Sequence, residues 1–218
     1  MKVFIFLFLL NTLFSINSQI INEYGVKVGL NSAYQSSYIE TDEDSYPIDN
    51  SENRLGYNIG IFASVINSNY FNLLIEPRIT QKGFTTFFST YFENYGNVSP
   101  SLTYFSISLL GKPKLTAKFI TGYLLLGTSM NWLIARKEDI FNGIFKNVRT
   151  NTISLDVGAG IQKTLSQKIT ISFEFKYDYE MHSSPIHDFK YNGDLYTFEY
   201  GQSFRNKTFE FILGIGFR

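Results

Sequence analysis

The segment KITISFEFKYDY, Lys168 to Tyr179, decides how the rest of the chain is read. From Ile169 its odd positions are Ile169, Ile171, Phe173, Phe175, Tyr177 and Tyr179, and its even positions are Thr170, Ser172, Glu174, Lys176 and Asp178. Successive side chains of an extended chain point to opposite faces, so this strand has one apolar wall and one polar, charged wall. A soluble sandwich turns the apolar wall to a core, whereas a transmembrane barrel turns it to lipid and keeps the polar wall for the lumen. Tyr177 and Tyr179 close the apolar run just before a polar loop, where an interfacial aromatic girdle would sit, and this favours the membrane arrangement.

Composition agrees with a chain of strands. Its 218 residues include 22 Phe and 15 Tyr against a single Trp, an aromatic excess that suits strands better than helices. Lys plus Arg and Asp plus Glu number 19 each, so the basic excess of a nucleic-acid binder is lacking. There is no cysteine, and there are only two histidines, which disfavours disulfide frameworks, thiolate or His-rich metal sites and an amino-terminal lipidated cysteine. No cofactor is expected.

Met1 to Ser18 reads as a secretory signal: Lys2 is the positive start, Val3 to Leu10 is unbroken apolar, and Phe14 to Ser18 declines into small and polar residues. Cleavage is expected near Ser18, leaving a domain over 19–218. The apolar run is shorter than the roughly 20 residues of a spanning helix, which disfavours an anchor. Later stretches are too broken to span as helices, so a membrane form of this chain must be a closed barrel.

The alternation recurs eight times. The expected strands are Tyr24–Tyr34, Arg54–Ile66, Tyr70–Gly83, Ser101–Lys112, Leu115–Leu133, Asn151–Lys163, the opening segment, and Lys207–Arg218. Tight turns are expected at Asn67 to Asn69, at Lys112 and Pro113, and at Leu165 to Gln167, with a bulge at Pro77. The fifth strand is rich in Leu and aromatics on both walls, and its facing is open. Long loops, Gln35–Asn53, Phe84–Pro100, Ile134–Thr150 and Glu180–Asn206, alternate with the short turns. The fold expected is all-β, an eight-stranded antiparallel up-and-down transmembrane β-barrel with its short turns in the periplasm. A Greek-key sandwich does not require alternating loop lengths, and a lipocalin would bring the Phe and Ile stripes inside.

By the third strand the order of motifs resembles a known group. LLIEPRITQKG, Leu73 to Gly83, and LTYFSISLLGK, Leu102 to Lys112, are similar to successive strands of the PorT-like (OmpX-like) outer-membrane β-barrel family, and GVKVGLN, LDVGAGI and FEFILGIGFR fit the same layout. Ser106, Ser108 and Gly111 depart from its usual residues. The resemblance implies an integral protein of the bacterial outer membrane, with outer-membrane lipid and the barrel assembly machinery as partners. It also implies an assembly signal at the carboxyl-terminal aromatic, here Phe217, which Arg218 follows.

With the apolar wall to lipid, the inward residues include Lys27, Asn58, Glu76, Arg78, Lys118, Asp156, Glu174, Lys176, Asp178 and Glu210. Eight of them, Lys27, Glu76, Arg78, Asp156, Glu174, Lys176, Asp178 and Glu210, form the expected lumen charge network, because charges in so narrow a space must pair. That network is read either as a structural plug or as a gate for water, ions or small solutes. Recurrent inward glycines, Gly25, Gly29, Gly56, Gly60, Gly158, Gly160, Gly214 and Gly216, make room for the long side chains. They precede no helix and are not a phosphate loop.

The second loop carries Phe84, Phe87, Phe88, Tyr91, Phe92 and Tyr95, more aromatics than a solvated loop needs. They are the expected contact surface for other envelope proteins, in a structural or surface-interaction role that includes secretion or envelope machinery. A narrow pore is the alternative. The first loop is acidic but lacks the turning Gly of a calcium loop. His182, His187 and Asp188 in the fourth loop resemble a hydrolase rim only in residue type, and no enzyme activity is expected.

Overall fold

The computed structural model describes residues 21–40, 45–48, 51–68, 70–89, 94–99, 101–137, 149–182, 184–192 and 197–218. The expected signal segment, Tyr91 and Phe92 lie outside the described residues. The described residues form eleven strands: β1 (Glu23–Glu40), β2 (Ser45–Ile48), β3 (Ser51–Asn67), β4 (Phe71–Ser89), β5 (Asn94–Val98), β6 (Ser101–Ala117), β7 (Ile120–Lys137), β8 (Asn151–Thr164), β9 (Ile169–Glu180), β10 (Ser184–Asn192) and β11 (Thr197–Phe217). Eight of these, β1, β3, β4, β6, β7, β8, β9 and β11, each pair antiparallel with their sequential neighbours, and β11 pairs with β1 from Tyr24↔Phe217 to Glu40↔Gly201. The last pairing closes the sheet, so no edge faces the bilayer.

Exposure answers which wall of β9 meets the interior. Phe173 and Phe175 are 45% and 40% exposed, while Glu174 and Lys176 between them are 1% and 0% exposed. The same outward apolar row continues on β1 (Val26, Val28, Leu30), β3 (Ile59, Ile61), β4 (Ile75, Ile79), β8 (Leu155, Val157) and β11 (Phe211, Leu213, Ile215). A continuous exposed belt of this kind is foreign to a soluble monomer and is what lipid covers. On β11 it runs from Phe217 up to Phe209, where Tyr34, Tyr177 and Tyr179 gather beside it. That is nine residues of strand, close to the roughly 9–11 of a tilted transmembrane strand.

Several expectations need correcting. The turn expected at Lys112 and Pro113 lies at Lys118 and Phe119 instead, and β6 runs through to Ala117. Pro113 is accommodated because it stands opposite Phe71 at the end of the β4 ladder, beyond which β6 continues in the sheet through β7. Lys118 is therefore an exposed turn residue, not an inward one. Pro77 causes no bulge: the β3–β4 register is the same on either side of it, Gly60↔Arg78 and Ala63↔Ile75, and shifts only between Ser64 and Ile66 and between Asn53 and Asn58.

The long loops are also shorter than expected, because strands climb into them. β1 reaches Glu40 and pairs there with β2, β4 reaches Ser89 and pairs with β5, and β11 starts at Thr197 and pairs with β10. Apolar alternation stops where the lipid belt stops, but the hydrogen-bond ladder does not.

Candidate functional site

The interior is divided between two kinds of wall. Toward the turn end, Phe62 of β3, Leu74 of β4, Leu110 of β6 and Tyr123 and Leu125 of β7 pack as a buried apolar cluster. Beside and above it lies a network of ions contributed by β1, β4, β8, β9 and β11.

Lys27 on β1 donates from Nζ to Glu76 Oε2 at 2.6 Å and to Glu174 Oε2 at 2.8 Å. Glu174 in turn accepts from the Tyr123 hydroxyl at 2.8 Å. Lys176 lies 3.3 Å from Glu76 Oε1 and 3.2 Å from Glu210 Oε2. Arg78 donates from one terminal nitrogen to Glu210 at 2.5 Å and from the other to Asp178 at 3.1 Å and Asp156 at 3.5 Å. Ser129 caps the second oxygen of Asp156, and Lys82 donates to Asp178 Oδ1 at 2.8 Å.

All eight residues of the expected lumen network thus meet in one connected set. Lys82 is a ninth member that sequence reading missed, although it shares the parity of Glu76 and Arg78. Four cations (Lys27, Arg78, Lys82, Lys176) face five carboxylates (Glu76, Asp156, Glu174, Asp178, Glu210). Each is at most 3% exposed. Ions so buried persist only because each has charged partners with good geometry.

Register explains how the long cations fit. Gly60 and Gly214 stand opposite Lys27 on the two neighbouring strands, Gly60 also stands opposite Arg78, and Gly158 stands opposite Lys176. A Cβ on Gly60 would come within 2.7 Å of Arg78 Cβ, and one on Gly160 within 2.6 Å of the Tyr123 ring. The recurrent inward glycines are therefore the space into which these side chains extend.

Below the network, Lys112 donates to Gln162 at 2.8 Å and lies 3.8 Å over the Tyr123 ring, a cation–π contact. Glu23 accepts from Thr170 at 2.7 Å. Above the network, Glu180 accepts from Asn206 Nδ2 at 2.5 Å. On the uncharged side, Ser106 donates to Asn131 at 2.6 Å, Asn131 to Ser154 at 2.8 Å, and Ser108 and Ser129 share a hydrogen bond at 2.7 Å. Hydrogen-bonded and ion-paired side chains thus occur at every level of the interior. Asn58 is buried in it as well.

The expected contact surface divides differently. Phe84 lies within β4, is 1% exposed and faces the interior, because it shares the parity of Arg78 and Lys82; it is not part of an outward contact surface. Phe87 and Phe88 belong to β4 and Tyr95 to β5, in the ribbon those strands form. Phe217 faces outward and packs on Tyr24, with ring centroids 5.9 Å apart. His182 is exposed just after β9, beside a shallow hollow lined by Met130, Trp132 and Arg149, and His187 pairs with Gln202 in the β10–β11 ribbon.

A family described as "Outer membrane protein beta-barrel domain" matches residues 17–184. No curated protein matches the chain. Among solved structures, the chain is similar to Ail, the attachment invasion locus protein of Yersinia pestis, at 17% identity over 89% of this chain and 97% of that one, with a TM-score of 0.37. It is similar to Neisserial surface protein A at 13% identity over 88% and 96%, TM-score 0.43. It is also similar to the outer membrane protease OmpT from Escherichia coli at 7% identity over 89% and 95%, TM-score 0.45.

Proposed function

The chain belongs to the outer membrane protein beta-barrel domain family and resides in the bacterial outer membrane, and on that premise we propose that it is a plugged barrel that works through its outer end, in a structural or surface-interaction role rather than as a channel or an enzyme. One observation carries the proposal: among the described residues, β-structure continues farthest past the lipid belt at the end opposite the short turns. Above the Tyr34↔Lys207 pair, β1 and β11 stay paired for six more residues, up to Glu40↔Gly201. At about 3.3 Å per residue and a tilt near 40°, that is roughly 15 Å of projection. β2 and β10 flank this ribbon, making a four-stranded sheet in the order β2-β1-β11-β10, and β3, β4 and β5 make a second ribbon.

The order of the motifs in β4 and β6 supports a PorT-like placement within the family. Phe217 at the outward carboxyl-terminal position suits recognition by the assembly machinery. The charge network fits the structural reading better than the pore reading, because its members are buried and paired with one another across the lumen.

Two measurements test the proposal. Refolded protein in a planar lipid bilayer is expected to be silent, and discrete conductance steps altered by Arg78→Gln or Glu174→Gln would replace the plug with a gate. A photoreactive residue at Tyr200 on the projecting ribbon should cross-link a protein partner in intact cells, whereas one at Leu213 in the lipid belt should not. Lipid adducts alone at both positions would remove the surface-interaction role.

A further inference from the structure

At the upper rim of the lipid belt, two cations sit on the outward face with aromatic rings as their neighbours. Lys207 stands in register between Tyr34 on β1 and Tyr179 on β9, and its Nζ lies 5.5 Å from the centroid of the Tyr34 ring. Two residues further up the same face, the Arg205 guanidinium lies 5.3 Å from the Tyr179 ring centroid and donates to the Tyr179 hydroxyl. The rings are fixed in turn: Tyr34 stacks on Phe209 at 6.2 Å, and Phe209 packs on Tyr177 at 4.9 Å. The carboxylates on β9 and β11 that flank the Lys207↔Tyr179 pair, Asp178, Glu180 and Glu210, all point into the barrel and are at most 1% exposed. Rings orient a cation without neutralising it, so both charges remain available to an anion.

The height of the pair selects the anion. Phe209, two residues below Lys207, is the uppermost exposed apolar side chain among the described residues of β11, so the two cations lie where the headgroups begin. They lie at the end opposite the short turns, which in barrels of this kind faces out of the cell. Long cations at such a border hold their stems against apolar surface and their heads among the headgroups. We propose that Tyr34, Tyr179, Arg205 and Lys207 form a binding site for a phosphate group of an anionic glycolipid in the outer leaflet. Arg205 and Lys207 supply the charge, and the tyrosines hold both in place against the barrel wall.

The test is native mass spectrometry of the full-length mature barrel released from phosphatidylcholine nanodiscs doped with bisphosphorylated lipid A. Wild-type protein should retain lipid A and should not retain its dephosphorylated form. Each cation near a membrane surface contributes about 1 kcal/mol to attraction by anionic lipid, so Arg205→Gln/Lys207→Gln should bind about thirtyfold more weakly. Lys163→Gln/Lys168→Gln at the opposite rim should bind as wild type. Equal retention of the dephosphorylated lipid by wild-type protein, or undiminished retention by the Arg205/Lys207 variant, would overturn the site. Displacement of lipid A by millimolar inorganic phosphate would overturn it too, in favour of a site for soluble anions. The wild-type comparison of the two lipids stands whether or not the variant refolds.

Discussion

Replacing Arg78 by Met is the sharpest single perturbation of the barrel. Arg78 serves three carboxylates, and its loss leaves three cations against five. The three carboxylates are not equally exposed to that loss. Asp178 keeps Lys82 at 2.8 Å and Glu210 keeps Lys176 at 3.2 Å, whereas Asp156, among the described residues, has Arg78 as its ion-pair partner and otherwise only the Ser129 hydroxyl. Removing one partner of a buried pair costs about 3–5 kcal/mol, because a charge is left without compensation. In urea unfolding from phospholipid vesicles, with a slope of about 2 kcal/mol/M, the midpoint should fall by about 2 M. The cost is located at Asp156, so Arg78→Met/Asp156→Asn should recover at least about half of it, a coupling far outside additivity. A midpoint shift below about 0.5 M, or a double variant no more stable than the single one, would refute the reasoning that paired charge is what keeps the interior closed.

Three further outcomes follow from the same geometry. Gly160→Val places a branched side chain against the Tyr123 ring and displaces the donor to Glu174; a destabilisation of about 1–3 kcal/mol is expected by the same unfolding assay, and a neutral variant would contradict it. The single tryptophan, Trp132, stacks on Phe105 at 5.9 Å on the outward side of β6 and β7, so its fluorescence should be quenched by brominated lipid and little by aqueous iodide; the reverse order would mean the strand is turned the other way. Because the sheet is closed by the β1–β11 ladder, the folded protein should migrate differently on gels before and after boiling, and Gly216→Pro, which removes a ladder donor, should weaken that difference.

The network was legible because ions are the strongest marker of parity. Once Glu174, Lys176 and Asp178 are seen on one side of β9, any charged residue on the matching side of another strand must join them. Residues near expected ends were harder to place. Glu180 continues the parity of β9 but falls just past its predicted limit, and Lys112 was hidden because Lys-Pro has the appearance of a turn. The apolar part of the interior was not legible at all. Leu74, Leu110 and Leu125 are as apolar as the outward residues beside them, so alternation carries no information there, and the facing of β7 is set instead by register with β6 and β8. The projecting ribbons escaped for a related reason. Above the belt both faces of a strand can meet water, and the period-two signal disappears while the backbone pairing persists.

The nine ions come from β1, β4, β8, β9 and β11, while β3, β6 and β7 supply none. Around the closed sheet, β4 stands across the diameter from β8 and β9, and its Glu76, Arg78 and Lys82 act as spokes reaching the far wall. The hairpin of β6 and β7 can enter a bilayer with its network-level inward side chains uncharged. The strands that bear the spokes cannot do so cheaply until the opposite wall has arrived. Ion pairing and sealing of the β1–β11 seam are then one event, and a sheet that has entered the membrane without curling shut holds nine stranded charges and no stable resting place.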